Sequence, residues 1–471
     1  MQLPPLFVER IRHQLGAEEA EGLCRALDGE QPTSVRLHPV RGEQARLAVS
    51  RPIPWSERGA YLEARPSFTL DPAFHGGAYY VQEASSQFVE RLLPADVEGL
   101  RILDLCAAPG GKTTLYASKV GRAGLVVANE IDRKRVQVLA DNVRKWGLGN
   151  VAVTCGDAET AARMESWYDV VAVDAPCSGE GMFRKDDEAR VEWSEQNVRL
   201  CAERQDEILR HAWQALKAGG TLIYSTCTFN REEDEGSLER FLDWASEEVE
   251  EAPTVAVDGA WGVVTGRVGA FQTFRFFPHK AEGEGFFAAV ARKSAEVRDG
   301  RLPKSKRSVI TSVDKPTTAE LRRWVVEPDA MSFGMAGDCC YGWFKEQAEA
   351  VKRLSELVPV IYSGVAMGQL FKGKLKPEQA LAHFVGLDQK AVAVAELDRE
   401  AALGYLRKQE LAVERFTEGM NLVVCEGLPL GFAKRIGGRV NNLYPNVLRI
   451  LKKRLRYNKL WQRNSFTRWV R

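Results

Sequence analysis

Two cysteines stand where a thiol could do covalent chemistry. One follows an apolar run in Asp174-Ala175-Pro176-Cys177-Ser178-Gly179, and the other follows a second run in Tyr224-Ser225-Thr226-Cys227-Thr228. A lone cysteine is usually an inert small hydrophobe. Two of them after neighbouring strand-like runs, with Asp174 beside one, suit a nucleophile and an assisting group instead. Zinc is the competing use of paired cysteines. It lacks ligands, because neither a C-x-x-C spacing nor a nearby histidine pair accompanies them. No metal is expected.

A second loop has the make-up of a binding site. An apolar run ends in Asp104-Leu105-Cys106-Ala107-Ala108-Pro109-Gly110-Gly111-Lys112, directly before a helical pattern. Small residues and a glycine pair at a strand end let the backbone approach a ligand closely. Phosphate motifs fail: a P-loop ending in Gly111-Lys112-Thr113 would need glycine where Cys106 stands, and G-x-G-x-x-G is absent. Acids follow the next runs. Glu130 is placed to accept from both ribose hydroxyls, Asp157 lies within reach of an adenine edge, and Asp174 follows the fourth run. Without a basic phosphate grip, S-adenosylmethionine is favoured over NAD.

These loops need a parallel sheet to position them. Arg101 to Leu105, Leu125 to Ala128, Val151 to Val153, Asp169 to Val173 and Thr221 to Tyr224 read as buried strands. Arg133 to Trp146 and Val198 to Leu216 read as helices, the second stopping at Ala218-Gly219-Gly220. Such alternation predicts an α/β fold with helices on both faces of the sheet, and both cysteines at its ligand-binding carboxyl edge. The chain divides into a mixed segment 1–95, a catalytic unit 96–292, a polar linker 293–317, a small α/β region 318–390 and a second one 391–471.

Composition narrows the class. With 45% hydrophobic and 27% charged residues the chain is globular, and at 471 residues it needs several cores. Nine scattered cysteines do not read as a disulfide framework, so a reducing cytoplasm is expected. The charged start shows no secretory pattern, and the longest uncharged run, Leu357 to Phe371, is shorter than the ~20 apolar residues of a membrane span. From Gly431 to Arg471 there are twelve Lys or Arg and no Asp or Glu, against a net +1 for the whole chain, which leaves −11 for the rest. A cationic end of this kind attracts polyanions.

The set D-L-C-A-A-P-G-G-K-T, D-A-P-C-S-G-E-G and S-T-C-T resembles the RNA 5-methylcytosine methyltransferases of the Nol1/Nop2/Sun family. The resemblance covers about residues 30 to 292, including Gly77 to Ser86, Arg275 to His279 and Gly283 to Phe287. It implies a Rossmann-like S-adenosylmethionine methyltransferase sheet, with Cys227 as nucleophile, Cys177 assisting product release, and Cys106 to Lys112, Glu130, Asp157 and Asp174 on the cofactor. A thiolate adding to carbon-6 of cytosine makes carbon-5 nucleophilic, and a carboxyl group such as Asp174 at ring nitrogen-3 would stabilise the adduct. Where upstream segments of the family show R-x-N, this chain has Arg36-Leu37-His38. His279 is expected to be structural.

The mixture of glycines, Lys434, Arg435, Arg439 and Tyr444 between Leu430 and Pro445 suits phosphate contact, with Tyr444 able to stack on a base. This stretch resembles the PUA-type module that ends bacterial small-subunit ribosomal RNA methyltransferases, and the region before it resembles their intermediate domain. The N-terminal segment is expected to be RNA-recognition-like. The expected partner is therefore RNA, either ribosomal RNA or the small ribosomal subunit, with transfer RNA, a non-catalytic ribosome-assembly role and a small-molecule substrate as alternatives.

Overall fold

The computed structural model of the chain describes residues 2–298, 300, 302 and 309–451. Its centre is a 10-stranded sheet. The apolar runs form strands β1 (Arg101–Asp104), β2 (Leu125–Glu130), β3 (Val151–Cys155), β4 (Tyr168–Asp174) and β5 (Leu216–Thr226), all parallel, in the spatial order 3-2-1-4-5. Alternate residues feed opposite cores. Ile102, Val126, Val170 and Ile223 pack under helices α1 (Gly111–Val120) and α2 (Arg135–Trp146), while Leu103, Val127, Val171 and Leu222 pack under α3 (Glu195–Ala215). Helices on both faces explain why these strands read as continuous apolar runs.

The strand order reverses at β1, whose neighbours are β2 and β4, so the crevice for a ligand opens at the carboxyl ends of these strands. Beyond β5 the sheet turns antiparallel through β6 (Val264–Val268), β7 (Phe271–Phe276) and β8 (Phe286–Lys293). One expected boundary moves. Ala218-Gly219-Gly220 does not stop a helix, because α3 ends at Ala215 and β5 runs through the glycines as a bulge, with pairing shifting between Tyr168 and Val170 and Gly219 at φ 72.

The other regions are fastened to this sheet. Helices Pro5–Leu15 and Ala17–Leu27 bury Phe7, Ile11 and Leu23 against Phe183, Trp193 and Phe229, next to the cysteine loops. A four-stranded antiparallel sheet follows, and its Arg36 guanidinium donates to Gln82 Oε1, the Gly111 carbonyl and Thr114 Oγ1 at 2.8, 3.1 and 2.6 Å. The region 318–390, read from sequence as a unit of its own, is divided. It builds a five-stranded antiparallel sheet, yet its strand β9 (Val360–Ser363) joins the free edge of β3, and Val351 and Leu354 enter the catalytic core. Pairing already begins at Thr311–Ser312, inside the stretch expected to be linker. The last sheet, Ala393 to Asn442, has four strands and sets Leu428 into the core of the N-terminal sheet. Among the described residues no helix is long and apolar enough to cross a membrane.

Edge pairing through β9 should be a main source of stability for β3. Tyr362 is buried in the catalytic core with Arg144 over its ring at 4.9 Å, so Tyr362→Ala should destabilise the chain by ~3–5 kcal/mol in urea unfolding followed by circular dichroism. A cost below about 1 kcal/mol would mean that the strand is only loosely attached.

Candidate active site

Parallel pairing of β4 with β5 sets Asp174 opposite Ser225, so the loops that leave these strands start side by side. The structure brings their cysteines together, Cys177 Sγ to Cys227 Sγ at 3.3 Å. That hydrogen bond, with burial, pushes the Cys177 thiol well above its usual range. Beside them Asp174, 37% exposed at its side chain, uses Oδ1 to accept from Lys112 Nζ at 2.8 Å and Ser225 Oγ at 3.0 Å. Burial works against the Lys112 ammonium, but Asp174 more than offsets this and holds it protonated above the ordinary lysine value. Lys112 therefore acts through Asp174.

The Cys106 to Gly111 loop curls between β1 and α1, and its carbonyls are held from outside. Arg135 donates to Ala108 O at 2.8 Å, Asn142 to Pro109 O at 2.9 Å, and Tyr80 to the same oxygen at 3.2 Å. Gly110 has φ 106, and a Cβ there would stand 3.0 Å from Leu139 Cδ1, so no side chain other than hydrogen is accommodated without strain. Acids converge on this loop: burial first, then the charges of Glu130, Asp174 and Asp104, push the Cys106 thiol up. Asp104 accepts from Thr113 Oγ1 through Oδ2, whereas its buried Oδ1 has no protein partner. Burial raises Asp104 to about 7. Glu130 is buried, accepting from the Asp132 amide at 3.0 Å with Arg135 at 3.4 Å. Asp157 caps the short helix Ala158–Ala162, accepting from Thr160 N at 2.8 Å.

A cleft with several acids, small walls, an orphaned carboxylate oxygen and its one lysine already paired fits a cofactor that carries net positive charge and no phosphate. S-adenosylmethionine meets that description. Three family models match successive parts of the chain: the N-terminal domain of 16S rRNA methyltransferase RsmF over residues 3–84, 16S rRNA methyltransferase RsmB/F over 91–292, and the methyltransferase RsmF PUA domain over 392–450. Ribosomal RNA small subunit methyltransferase F of Erwinia tasmaniensis is 32% identical, over 94% of this chain and 96% of its own. The protein of the same name from Klebsiella pneumoniae is 34% identical, over 84% of each. The chain belongs to the RsmB/F family. A methyltransferase homolog from Pyrococcus horikoshii shares its fold, with a TM-score of 0.51 at 28% identity, covering 61% of this chain and 94% of that one.

As a member of this family the chain is an S-adenosylmethionine-dependent methyltransferase. Cys106, Ala107, Ala108, Pro109, Gly110, Gly111, Glu130, Asp157 and Asp174 surround the carboxyl ends of β1 to β4, and the buried Asp104 at the end of β1 stands with them. Two histidines of this chain are tied into the fold. His38 is fully buried, its Nδ1 accepting from the Val40 and Arg41 amides, and burial lowers it to about 2. His279 meets Glu19 Oε2 at 2.6 Å and ties helix Ala17–Leu27 to the catalytic unit.

In the PUA domain the four expected RNA contacts separate. Lys434 and Arg439 are exposed on the hairpin Leu428–Ile436 and Arg439–Asn442. Arg435 donates to the Gly437 and Phe416 carbonyls and serves the hairpin itself. Tyr444 corrects the expectation of a stacking platform: it is 3% exposed, edge-on to Tyr405 at 5.5 Å, and so belongs to the domain's core. The remaining cations from Lys452 to Arg471 lie outside the described residues.

Asp104 should make cofactor binding depend on pH. Its folded value of about 7 lies above the unfolded one, so protonation favours the apo fold, and that contribution fades as pH rises through about 7. A cationic cofactor prefers the ionised carboxylate. Affinity measured by calorimetry should therefore rise ~10-fold from pH 6 to pH 8 with proton release, and Asp104→Asn should flatten the dependence. A flat profile in the unaltered protein would remove Asp104 from cofactor binding.

Proposed function

We propose that the chain methylates carbon-5 of cytosine in small-subunit ribosomal RNA, through a transient bond between Cys227 and carbon-6 of the base. The observation that carries this reading is the 3.3 Å approach of two thiols at the ends of adjacent strands, beside Asp174. The relatives named above are ribosomal RNA small subunit methyltransferases, which supports the choice of RNA. All nine cysteines are free, in keeping with a reducing cytoplasm.

The chemistry divides between the two sulfurs. The Cys227 thiol gives its proton to solvent and the sulfur bonds carbon-6, opening the carbon-5–carbon-6 double bond so that the ring gains electron density at carbon-5. Bound S-adenosylmethionine supplies the electrophilic methyl group. Asp174 Oδ2, left free of the Lys112 and Ser225 contacts, holds the edge of the base that carries nitrogen-3 and the 4-amino group. As sulfur adds to carbon-6, nitrogen-3 becomes basic and takes a proton from solvent, so the carboxylate accepts from N3–H and from the 4-amino group, where uracil would present a repelling carbonyl oxygen at position 4. To finish, the carbon-5 proton leaves to a base, its electron pair restores the double bond, and the Cys227 thiolate is expelled. Cys177 fills the role of base. The hydrogen bond to Cys227 is the main cause holding its proton; once Cys227 is bonded to carbon that cause is gone, the Cys177 proton passes to solvent, and the resulting thiolate takes the proton from carbon-5.

Cys227→Ala should lower methyl transfer by at least ~10³-fold while cofactor affinity stays within about twofold. Near-normal turnover would refute the assignment. Cys177→Ala should instead accumulate a protein–RNA adduct, seen as a retarded band on a denaturing gel, and no such band would move the release step to another group. Replacing both Lys434 and Arg439 by Ala should lower the slope of log affinity against log salt by ~1–2. Bisulfite sequencing of total RNA with and without the gene tests the whole reading, since a position in transfer RNA, or none, would contradict it.

A further inference from the structure

Two buried carboxylates cross between the cysteine loops. Glu180 lies on the loop that carries Cys177, yet Oε2 accepts from Thr228 Oγ1, the Phe229 amide and the Asn230 amide at 2.7, 2.8 and 3.1 Å, all on the loop that follows Cys227. Its Oε1 accepts from Asn230 Nδ2 and Trp193 Nε1, both at 3.0 Å. Glu233 does the reverse. It follows Cys227 in sequence, while Oε2 accepts from the Ser178 amide at 2.8 Å and from Gln205 Nε2 at 3.0 Å, and the same Gln205 nitrogen reaches Pro176 O at 3.0 Å. Glu233 Oε1 accepts from Asn230 Nδ2 at 2.7 Å, which joins the two halves.

Relative exposure is 1% for Glu180 and 0% for Glu233, so neither carboxylate serves the surface. Every partner named is a donor, an environment that favours the ionised carboxylate, while burial and the charge of Glu180 work against it and raise Glu233 to about 7. The backbone closes on the same point. Gly181 N donates to Cys227 O at 2.8 Å, and a Cβ on Gly181 would stand 2.7 Å from that oxygen. We propose that Glu180 and Glu233 form a reciprocal clamp in which each anchors the opposite cysteine loop, making them positioning residues that set the separation of Cys177 and Cys227. The catalytic consequence of the clamp rests on the reading of the two thiols given above; its geometry does not.

The separation can be read chemically. Diamide takes two electrons and two protons from a thiol pair and is reduced to the hydrazine as the sulfur–sulfur bond closes, so the rate of closure reports how well the sulfurs are held together. The product is the Cys177–Cys227 cross-linked peptide pair, measured by mass spectrometry on the full chain. In Glu180→Gln or Glu233→Gln an amide nitrogen faces donors on one side, and closure should slow by at least ~5-fold. Methyl transfer should lose ~10- to 100-fold in kcat, with KM for RNA and cofactor Kd within about twofold. Thr228→Val keeps the shape and deletes one donor, so its closure should slow by a smaller factor.

Closure at or above the unaltered rate in the glutamine variants overturns the clamp, even if kcat falls. Should a glutamine variant fail to fold, Thr228→Val decides alone, and closure at the unaltered rate there overturns the proposal. A methylated product other than 5-methylcytosine would sink the proposed function and leave the closure rates still reporting on the clamp.

Discussion

The site depends on bringing two half-buried thiols to 3.3 Å of each other at the edge of the sheet. Flexible loops alone could not hold that distance, because each carries the entropy of its own conformers. Two parallel strands in fixed register supply the frame. Asp174 pairs with Ser225, and the cysteines follow within three residues of those positions, before the chain has freedom to diverge. The core under β4 and β5 fixes that register, since Val171, Leu222 and Tyr224 are buried on one face and Val170 and Ile223 on the other.

Charge is distributed to match two ligands of opposite sign. Around the Cys106 to Gly111 loop the protein concentrates carboxylates and neutralises its one nearby lysine internally, an arrangement suited to a sulfonium and unfavourable to phosphate. Cations are instead gathered at the far end of the sequence, where twelve Lys or Arg stand without an acid. The C-terminal sheet is not a loose appendage, for Leu428 enters the N-terminal core and Arg399 meets Asp71 at 3.3 Å.

What could be read from the sequence was what short-range pattern encodes. The five parallel strands, the helices that cover them and the loops at their ends follow from apolar runs and punctuation by glycine. Long-range pairing left no such trace. Nothing in Val360–Ser363 says that it completes the edge of β3, because any short apolar run could pair there. The bulge at Gly219 mimicked a helix stop, since the same residue type serves both uses. Tyr444 looked like a stacking face because its neighbours are basic, and only the fold shows the ring turned onto Tyr405. Glu180 and Glu233 sit in or beside recognisable motifs, but their partners lie roughly 50 residues away in sequence and surface only in three dimensions.

The central claim is that the sulfur at 227, and no other, bonds the base. RNA carrying 5-fluorocytosine traps such a bond, because carbon-5 then has no proton to lose and the adduct cannot resolve. Incubation with S-adenosylmethionine, digestion and peptide mass spectrometry should find the methylated fluoropyrimidine attached to the peptide that contains Cys227. Attachment at Cys177, or complete absence of a covalent product under conditions where ordinary RNA is methylated, would contradict the account.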